Sequence, residues 1–219
     1  MEIIKTALCS YGLSGKVFHA PFINLHPGFE LIGSWERSKK LIQEDYPDVK
    51  SYSSLEALHL FGMPNAVFAD MRITRAASQI DDYFELILYY EKLRVKLKAS
   101  FLVREPVPSY IIHGTKGSFL KSRADAQEDK LRAGMKPNTY DWYTEPESEY
   151  GLLHAEKDGK VIREKVKSSQ GSYLGYYDAM YQSIVHGQPI PVTAEDGINV
   201  MQIIEAAIKS SNEQKVIAV

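Results

Sequence analysis

Ser10, Gly12 and Gly15 stand in "CSYGLSGKVFHAP", residues 9–21, directly behind the apolar run "IIKTAL". Small residues at this spacing let a backbone approach a pyrophosphate while the following helix aims its N-terminus at the charge. Gly12 supplies the close approach and Gly15 the close packing of helix on strand. Ser10 stands where a first glycine would. It is small but gives up easy access to positive φ, so the turn must use ordinary dihedrals. A dinucleotide site also needs an acid at the end of the next strand to meet the adenosine ribose. Glu36 ends "FELIGSWE", 21 residues after Gly15, and Arg37 follows at once. Glu36 favours NAD through the ribose 2′-hydroxyl, whereas Arg37 and Ser38 could receive a 2′-phosphate. NAD and NADP therefore both stay open.

The other chemical side chains point less sharply. His19, His26, His59, His113, His154 and His186 are scattered with no pair at metal spacing, so no metal site is expected. His59 reads as packing on a helix. His19, in the first turns after the glycine loop, reads as a capping or packing residue. Cys9 reads as a small inert apolar residue. Asp81-Asp82 and the acidic "EPESE" read as solvated loop charges. The tyrosines of "YLGYYDAMY" have helical spacing and read as core and interface.

These residues must be held by elements. "EIIKTALCS" predicts a buried strand, "SGKVFHAPFINL" a short helix that Pro21 should kink or end, and "PGFELIGSWE" a second strand entered by a Pro-Gly turn. "SKKLIQEDY" and "SYSSLEALHLFG" predict helices, the second stopped by Gly62. Such alternation argues for a parallel sheet of strand–helix–strand units. After residue 64 the pattern becomes long strand-like segments: "NAVFADMRITR", "YFELILYYEKLRVKLKASFLVRE" and "SYIIHGTKGSFLKSR". Leu93, Val95 and Leu97 alternate with Arg94, Lys96 and Lys98, which predicts antiparallel sheet with one wet face. "ADAQEDKLRAGMKPNTYDWYTEPESEYG" predicts a short helix and a loop. "GLLHAEKDGKVIREKV" predicts a hairpin with Asp158-Gly159 at its turn. Two helices close the chain, the last with Thr193 as N-cap and Asp196 three residues on. The fold class expected is α/β plus α+β: a partial, parallel N-terminal part over 1–58 and a mostly antiparallel sheet domain with terminal helices over 59–219.

Composition narrows the function. The 219 residues carry 26 basic and 28 acidic side chains, a net charge of −2, with no basic field for nucleic acid or an anionic membrane. No stretch approaches the ~20 apolar residues of a membrane span, and "MEIIKTAL" is a poor signal peptide. One cysteine excludes an internal disulfide. A soluble cytoplasmic protein is expected.

"SYGLSGKVFHAPFI", "GSWERSKK", "LHLFGMP", "IIHGTKGSF" and "GQPIPVTAEDGINVMQIIEAAIKSS" resemble the Gfo/Idh/MocA oxidoreductases, relatives of glucose–fructose oxidoreductase and inositol dehydrogenase. The last motif, from Pro191, Thr193, Ala194, Glu195 and Asp196 to Glu205-Ala206-Ala207, is the most specific. The resemblance implies a Rossmann part binding NAD or NADP. It implies a C-terminal sheet that shapes the substrate pocket and makes a homo-oligomer interface. It implies hydride exchange with a sugar, inositol or related hydroxy compound. It places Ser10, Gly12, Leu13, Ser14 and Gly15 in the pyrophosphate loop and Glu36 and Arg37 at the ribose, with Trp35 adjoining.

The catalytic residues of that family have no counterpart in this sequence. Its Glu-Lys-Pro motif is absent: "EKLRV" lacks the proline and is expected on a sheet strand, and "MKPNTY" lacks the glutamate and is expected in a loop. Its Asp-x-x-x-His helix before "LHLFG" is replaced by "SYSSLEA". The sequence jumps near residues 57 and 58, and a complete member would be about half as long again. The first strand, apolar on both faces as a central strand should be, would then present a naked edge. Two functions follow as expectations. One is an oxidoreductase chain that has lost its catalytic segment and is inactive as it stands. The other is a non-enzymatic, sheet-mediated oligomerisation module with a vestigial nucleotide loop.

Overall fold

The computed structural model describes residues 3–8, 19–34, 60–105, 107–122, 125–137 and 142–219. The chain divides into two compact units, Met1–Pro47 with Pro106–Pro191, and Asp48–Glu105 with Val192–Val219.

In the first unit, β1 (Ile4–Leu8) and β2 (Phe29–Ser34) pair in parallel and α1 (Ala20–Leu25) connects them. The strand–helix–strand reading is met. Pro21 does not end the helix: it sits in the first turn of α1, and α1 runs on to Leu25. The same unit holds a four-stranded antiparallel sheet in sequential order: β6 (Tyr110–Gly114), β7 (Gly117–Lys121), β8 (Gly151–Lys157) and β9 (Lys160–Val166). Asp158 and Gly159 turn β8 into β9 with φ of 53° and 73°. Both central residues are left-handed, as the turn that matches strand twist requires. The expected short helix is α2 (Ala126–Arg132), capped by Asp125, which accepts from the Gln127 and Glu128 N–H groups at 3.1 Å. Next comes α3 (Tyr173–His186), opened by Ser172 and closed by Gly187 at φ 65°. Phe22, Ile23, Leu131, Trp142 and Tyr177 form this unit's core.

The second unit is a four-stranded antiparallel sheet with one long helix. Its strand order is β10 (Ile217–Ala218), β3 (Ala66–Arg72), β4 (Tyr83–Tyr89), β5 (Arg94–Ser100). The segment read as one long strand from residue 83 to 105 is a hairpin. Tyr90–Leu93 reverse it, with the Tyr90 N–H on the Leu93 carbonyl at 3.1 Å. Glu91 and Lys92 of "EKLRV" therefore lie in a turn, not on a strand. "SYIIHGTKGSFLKSR" likewise folds back at Thr115-Lys116. In β5 the alternation holds: Val95 and Leu97 are half-buried and Arg94, Lys96 and Lys98 exposed.

The closing helix is α4 (Ala194–Glu213), and its predicted start is present in full. Thr193 Oγ1 accepts from the Asp196 N–H at 3.1 Å, and Asp196 Oδ2 accepts from the Thr193 N–H at 2.9 Å. Its small residues Ala206 and Ala207 and the side chain of Ile203 pack on Val67, Ala69 and Leu88. β10 is two residues long and covers only Val67 and Ala66 of β3. Where it stops, α4 continues the pairing: Ser210 Oγ accepts from the Ala69 N–H and Ser211 Oγ from the Met71 N–H, both at 2.9 Å. Gly62, at φ 71°, follows the helical residues Leu60 and Phe61 as expected.

Two groups read as solvated charges are anchors instead. The Asp82 side chain is 1% exposed and bonds Arg75 Nε at 2.8 Å, the Thr74 N–H at 2.6 Å and the Thr74 hydroxyl at 2.7 Å. Arg75 also lies 3.7 Å over the Phe101 ring. In "EPESE", Glu145 pairs with Lys121 and accepts from the Ser168 N–H at 3.2 Å, and Glu149 accepts from the Ser122 hydroxyl. A long loop cannot hold its own shape by packing alone, and a carboxylate that accepts several N–H and O–H bonds fixes it.

Candidate functional site

The nucleotide-site residues read from the sequence, Ser10, Gly12, Leu13, Ser14, Gly15, Trp35, Glu36 and Arg37, lie outside the described residues, as do Cys9 and His59. The frame that would present them is described. β1 and β2 are parallel and in register at their ends, with Ala7 beside Gly33 and Leu8 beside Ser34. The chain therefore leaves both strands at one level, one inter-strand spacing of about 5 Å apart. A pyrophosphate loop after the first strand and a ribose-selecting acid after the second require this arrangement, because one dinucleotide must touch both. The described frame fits a dinucleotide in this respect.

The helix that follows the loop is fixed by α3. At its head, His19 Nδ1 lies 2.7 Å from the Tyr177 hydroxyl. His19 takes the N-cap position, yet its side chain caps nothing; its polar bond goes to α3 instead. At its foot, His26 is buried, accepts the Gly28 N–H on Nδ1 at 2.9 Å, and meets Asp178 Oδ1 through Nε2 at 2.9 Å. Because Nδ1 is already an acceptor, the proton sits on Nε2 and points at the carboxylate. Gly28 is required here, since a Cβ at that position would come within 2.3 Å of the Tyr181 ring. Partial burial of the His19 ring pushes its pKa below the ordinary value. Burial, helped by the neighbouring Tyr176, pushes the Tyr177 hydroxyl up to about 12. Both shifts work against a charge on the pair, and the His19 tautomer sets which of the two groups donates.

The tyrosines of α3 are core, as their spacing predicts. Tyr177 stacks on Phe22 with centroids 6.0 Å apart and planes 5° from parallel, and Tyr181 packs against Phe29 and His26. What the sequence did not disclose is that Tyr177 and Asp178 are also polar partners of α1. Their partners lie about 150 positions away in the chain, and no local spacing signals such a contact. Among the described residues no group of three His, Cys, Asp or Glu could hold a metal ion, and no helix is long and apolar enough to cross a membrane.

Residues 56–219 match the family model described as an oxidoreductase family, C-terminal alpha/beta domain. The chain is 40% identical over 188 residues to scyllo-inositol 2-dehydrogenase (NADP(+)) IolW of Bacillus subtilis, a match that covers 86% of this chain and 52% of that protein. Its fold is similar to a crystallised putative oxidoreductase of Bacteroides fragilis, with a TM-score of 0.85, 30% identity and all of both chains covered. It is also similar to the putative oxidoreductase yvaA of Bacillus subtilis, with a TM-score of 0.89, 26% identity, all of this chain and 99% of that one. The chain spans about half the length of the curated relatives it matches.

Proposed function

The chain belongs to the Gfo/Idh/MocA oxidoreductase family, and from that premise we propose that it keeps half of a nicotinamide-dinucleotide site while lacking the proton-transfer residues, so that it binds NAD or NADP without turning over a polyol. The observation that carries this reading is one of length. Only 40 residues, 16 to 55, separate the glycine loop from the start of the family match at residue 56. A dinucleotide fold of strand order 3-2-1-4-5-6 needs four more strands after β2, with the helices between them. Those 40 residues already include α1 and β2, and the 21 from 35 to 55 that follow β2 are fewer than a single strand–helix–strand unit, which takes roughly 30 residues. The Glu-Lys-Pro and Asp-x-x-x-His residues belong to that missing stretch by resemblance, and neither motif occurs in the sequence.

Ser10, Gly12, Leu13, Ser14 and Gly15 would hold the pyrophosphate, and Glu36 and Arg37 the ribose end, beside Trp35. Bound nicotinamide would supply the hydride-accepting ring, and this chain's part is to bind and orient it. The inositol and NADP(+) in the name of the Bacillus relative support a polyol as the ancestral substrate class.

Titration of the purified chain with NAD and with NADP, followed by Trp35 fluorescence, is expected to saturate for one of the two. Assays with inositols and sugars are expected to stay at background. Steady reduction of nicotinamide would overturn the inactivity. Loss of all dinucleotide affinity would favour the oligomerisation module, a reading supported by the family match lying wholly in the C-terminal three-quarters. The intact mass of the expressed protein tests whether the central segment is absent from the molecule.

A further inference from the structure

We infer that Tyr177, acting through His19, is a positioning residue for the helix that follows the glycine loop, and that Asp178, acting through His26, holds the other end of the same helix. Apolar contact between α1 and α3 supplies attraction but little direction. Phe22 and Ile23 are fully buried against Tyr177, Tyr173 and Leu174, and such surfaces tolerate sliding by a fraction of a turn. The two histidine bonds remove that freedom. His19 and His26 are seven residues apart, two helical turns, and their partners are adjacent residues of α3. Two directional bonds at opposite ends of a six-residue helix fix both its position along α3 and its rotation. The partners are themselves held. Tyr177 is 7% exposed and lies between Phe22 and the edge of Phe29, and His26 Nδ1 is committed to the Gly28 N–H. A dinucleotide fold with its full sheet would hold this helix against several strands. Among the described residues β1 pairs only with β2, so α3 supplies the constraint. For the nucleotide, the inference rests on the reading of residues 10–15 as a pyrophosphate loop. For the helix it does not.

The test uses the full chain and two readouts, amide hydrogen exchange over residues 19–26 and dinucleotide affinity. Tyr177→Phe removes only the hydroxyl. It is expected to speed exchange in that segment roughly five- to tenfold, the worth of one hydrogen bond, and to weaken dinucleotide binding by a similar factor, with exchange in α4 and β3 unchanged. His19→Ala should do the same, and Tyr177→Phe with His19→Ala together should do no more than either alone. His19→Asn, whose amide offers both a donor and an acceptor near the Nδ1 position, should restore most of the protection, and Tyr176→Phe should change nothing. Faster exchange with no dinucleotide binding by the parent chain would leave the positioning role standing and overturn the pyrophosphate reading. Unchanged exchange in Tyr177→Phe, or additive effects of the two substitutions, would overturn the positioning role itself.

Discussion

The buried carboxylates show what single residues contribute. Asp82 and Glu145 both hold loops, and both are charged against the cost of burial. Burial alone would raise the Asp82 pKa, but the Arg75 guanidinium and the Thr74 donors outweigh it and hold the carboxyl well below the usual carboxylate range. For Glu145, burial is outweighed in the same way by the Lys121 ammonium and the Ser168 N–H. The sign of the pH dependence follows. In the unfolded chain these groups take up protons near 3.8 and 4.5, whereas the folded chain resists until lower pH. The unfolded state then binds more protons as the solution is acidified, so stability falls as pH falls. Full stability is expected above about pH 5, with a progressive fall in the thermal midpoint below it. Asp82→Asn and Glu145→Gln should each lower the midpoint at neutral pH and flatten its decline in acid. A variant whose midpoint tracks the parent's at every pH would show that its carboxylate anchors nothing. Neither anchor was legible in the sequence: an acid in a polar connecting stretch looks the same whether it faces water or a cation, and only the partner's position decides.

At the scale of elements, the family's most specific motif acquires a physical cause. "EAAIKSS" places Ala206 and Ala207 where α4 lies closest to the sheet, and Ser210 and Ser211 where β10 has ended and β3 still has N–H groups to satisfy. Ser210 is fully buried, and besides accepting from Ala69 it donates to the Lys215 carbonyl at 2.6 Å. Ser210→Ala strands a buried N–H and a partly buried carbonyl, which is expected to cost about 1–3 kcal/mol, read as a lower denaturant midpoint with unchanged slope. Ser210→Thr keeps the hydroxyl, so a loss confined to Ala separates the hydrogen bond from packing. The capping box at Thr193, the Asp158-Gly159 turn and the alternation of β5 were all legible, because each is decided by residues within four positions of one another. The hairpin reversals at Tyr90–Leu93 and Thr115-Lys116 were not. Their turn residues carry little signal, and continuous strand propensity on both sides masks the bend. For the candidate site the reverse holds. The glycine spacing raises the expectation of a nucleotide loop over residues that lie outside the described structure, while the polar contacts of α1 come from α3, far along the chain.

At the scale of the whole molecule, the second unit's sheet has two unlike faces. Val67, Ala69, Leu86, Leu88, Val95 and Leu97 face α4. Cross-strand register puts Phe68, Ile87 and Lys96 in one row of the other face and Asp70, Glu85 and Lys98 in the next. Rows of Tyr89 with Arg94 and of Tyr83 with Arg72 and Ser100 flank them, and Arg94 lies 4.5 Å over the Tyr89 ring. The face thus sets Phe68, Ile87 and the two tyrosines among paired charges of both signs, Glu85 with Lys98 and Asp70 with Arg72, a mixture of apolar and polar groups of the kind found across protein interfaces. Both signs on one patch also suit two-fold pairing of identical surfaces, because each acid can meet a base of the other copy. The homo-oligomer that the family resemblance implies would use this face, whose strands β3, β4 and β5 all lie within the family match. Sedimentation at micromolar concentration is expected to show a dimer. Ile87→Glu, which puts a charge at the centre of the face without touching the α4 core, should give a monomer with unchanged helix and sheet content. A parent chain that sediments as a monomer, or an Ile87→Glu variant that remains dimeric, would remove this face from consideration.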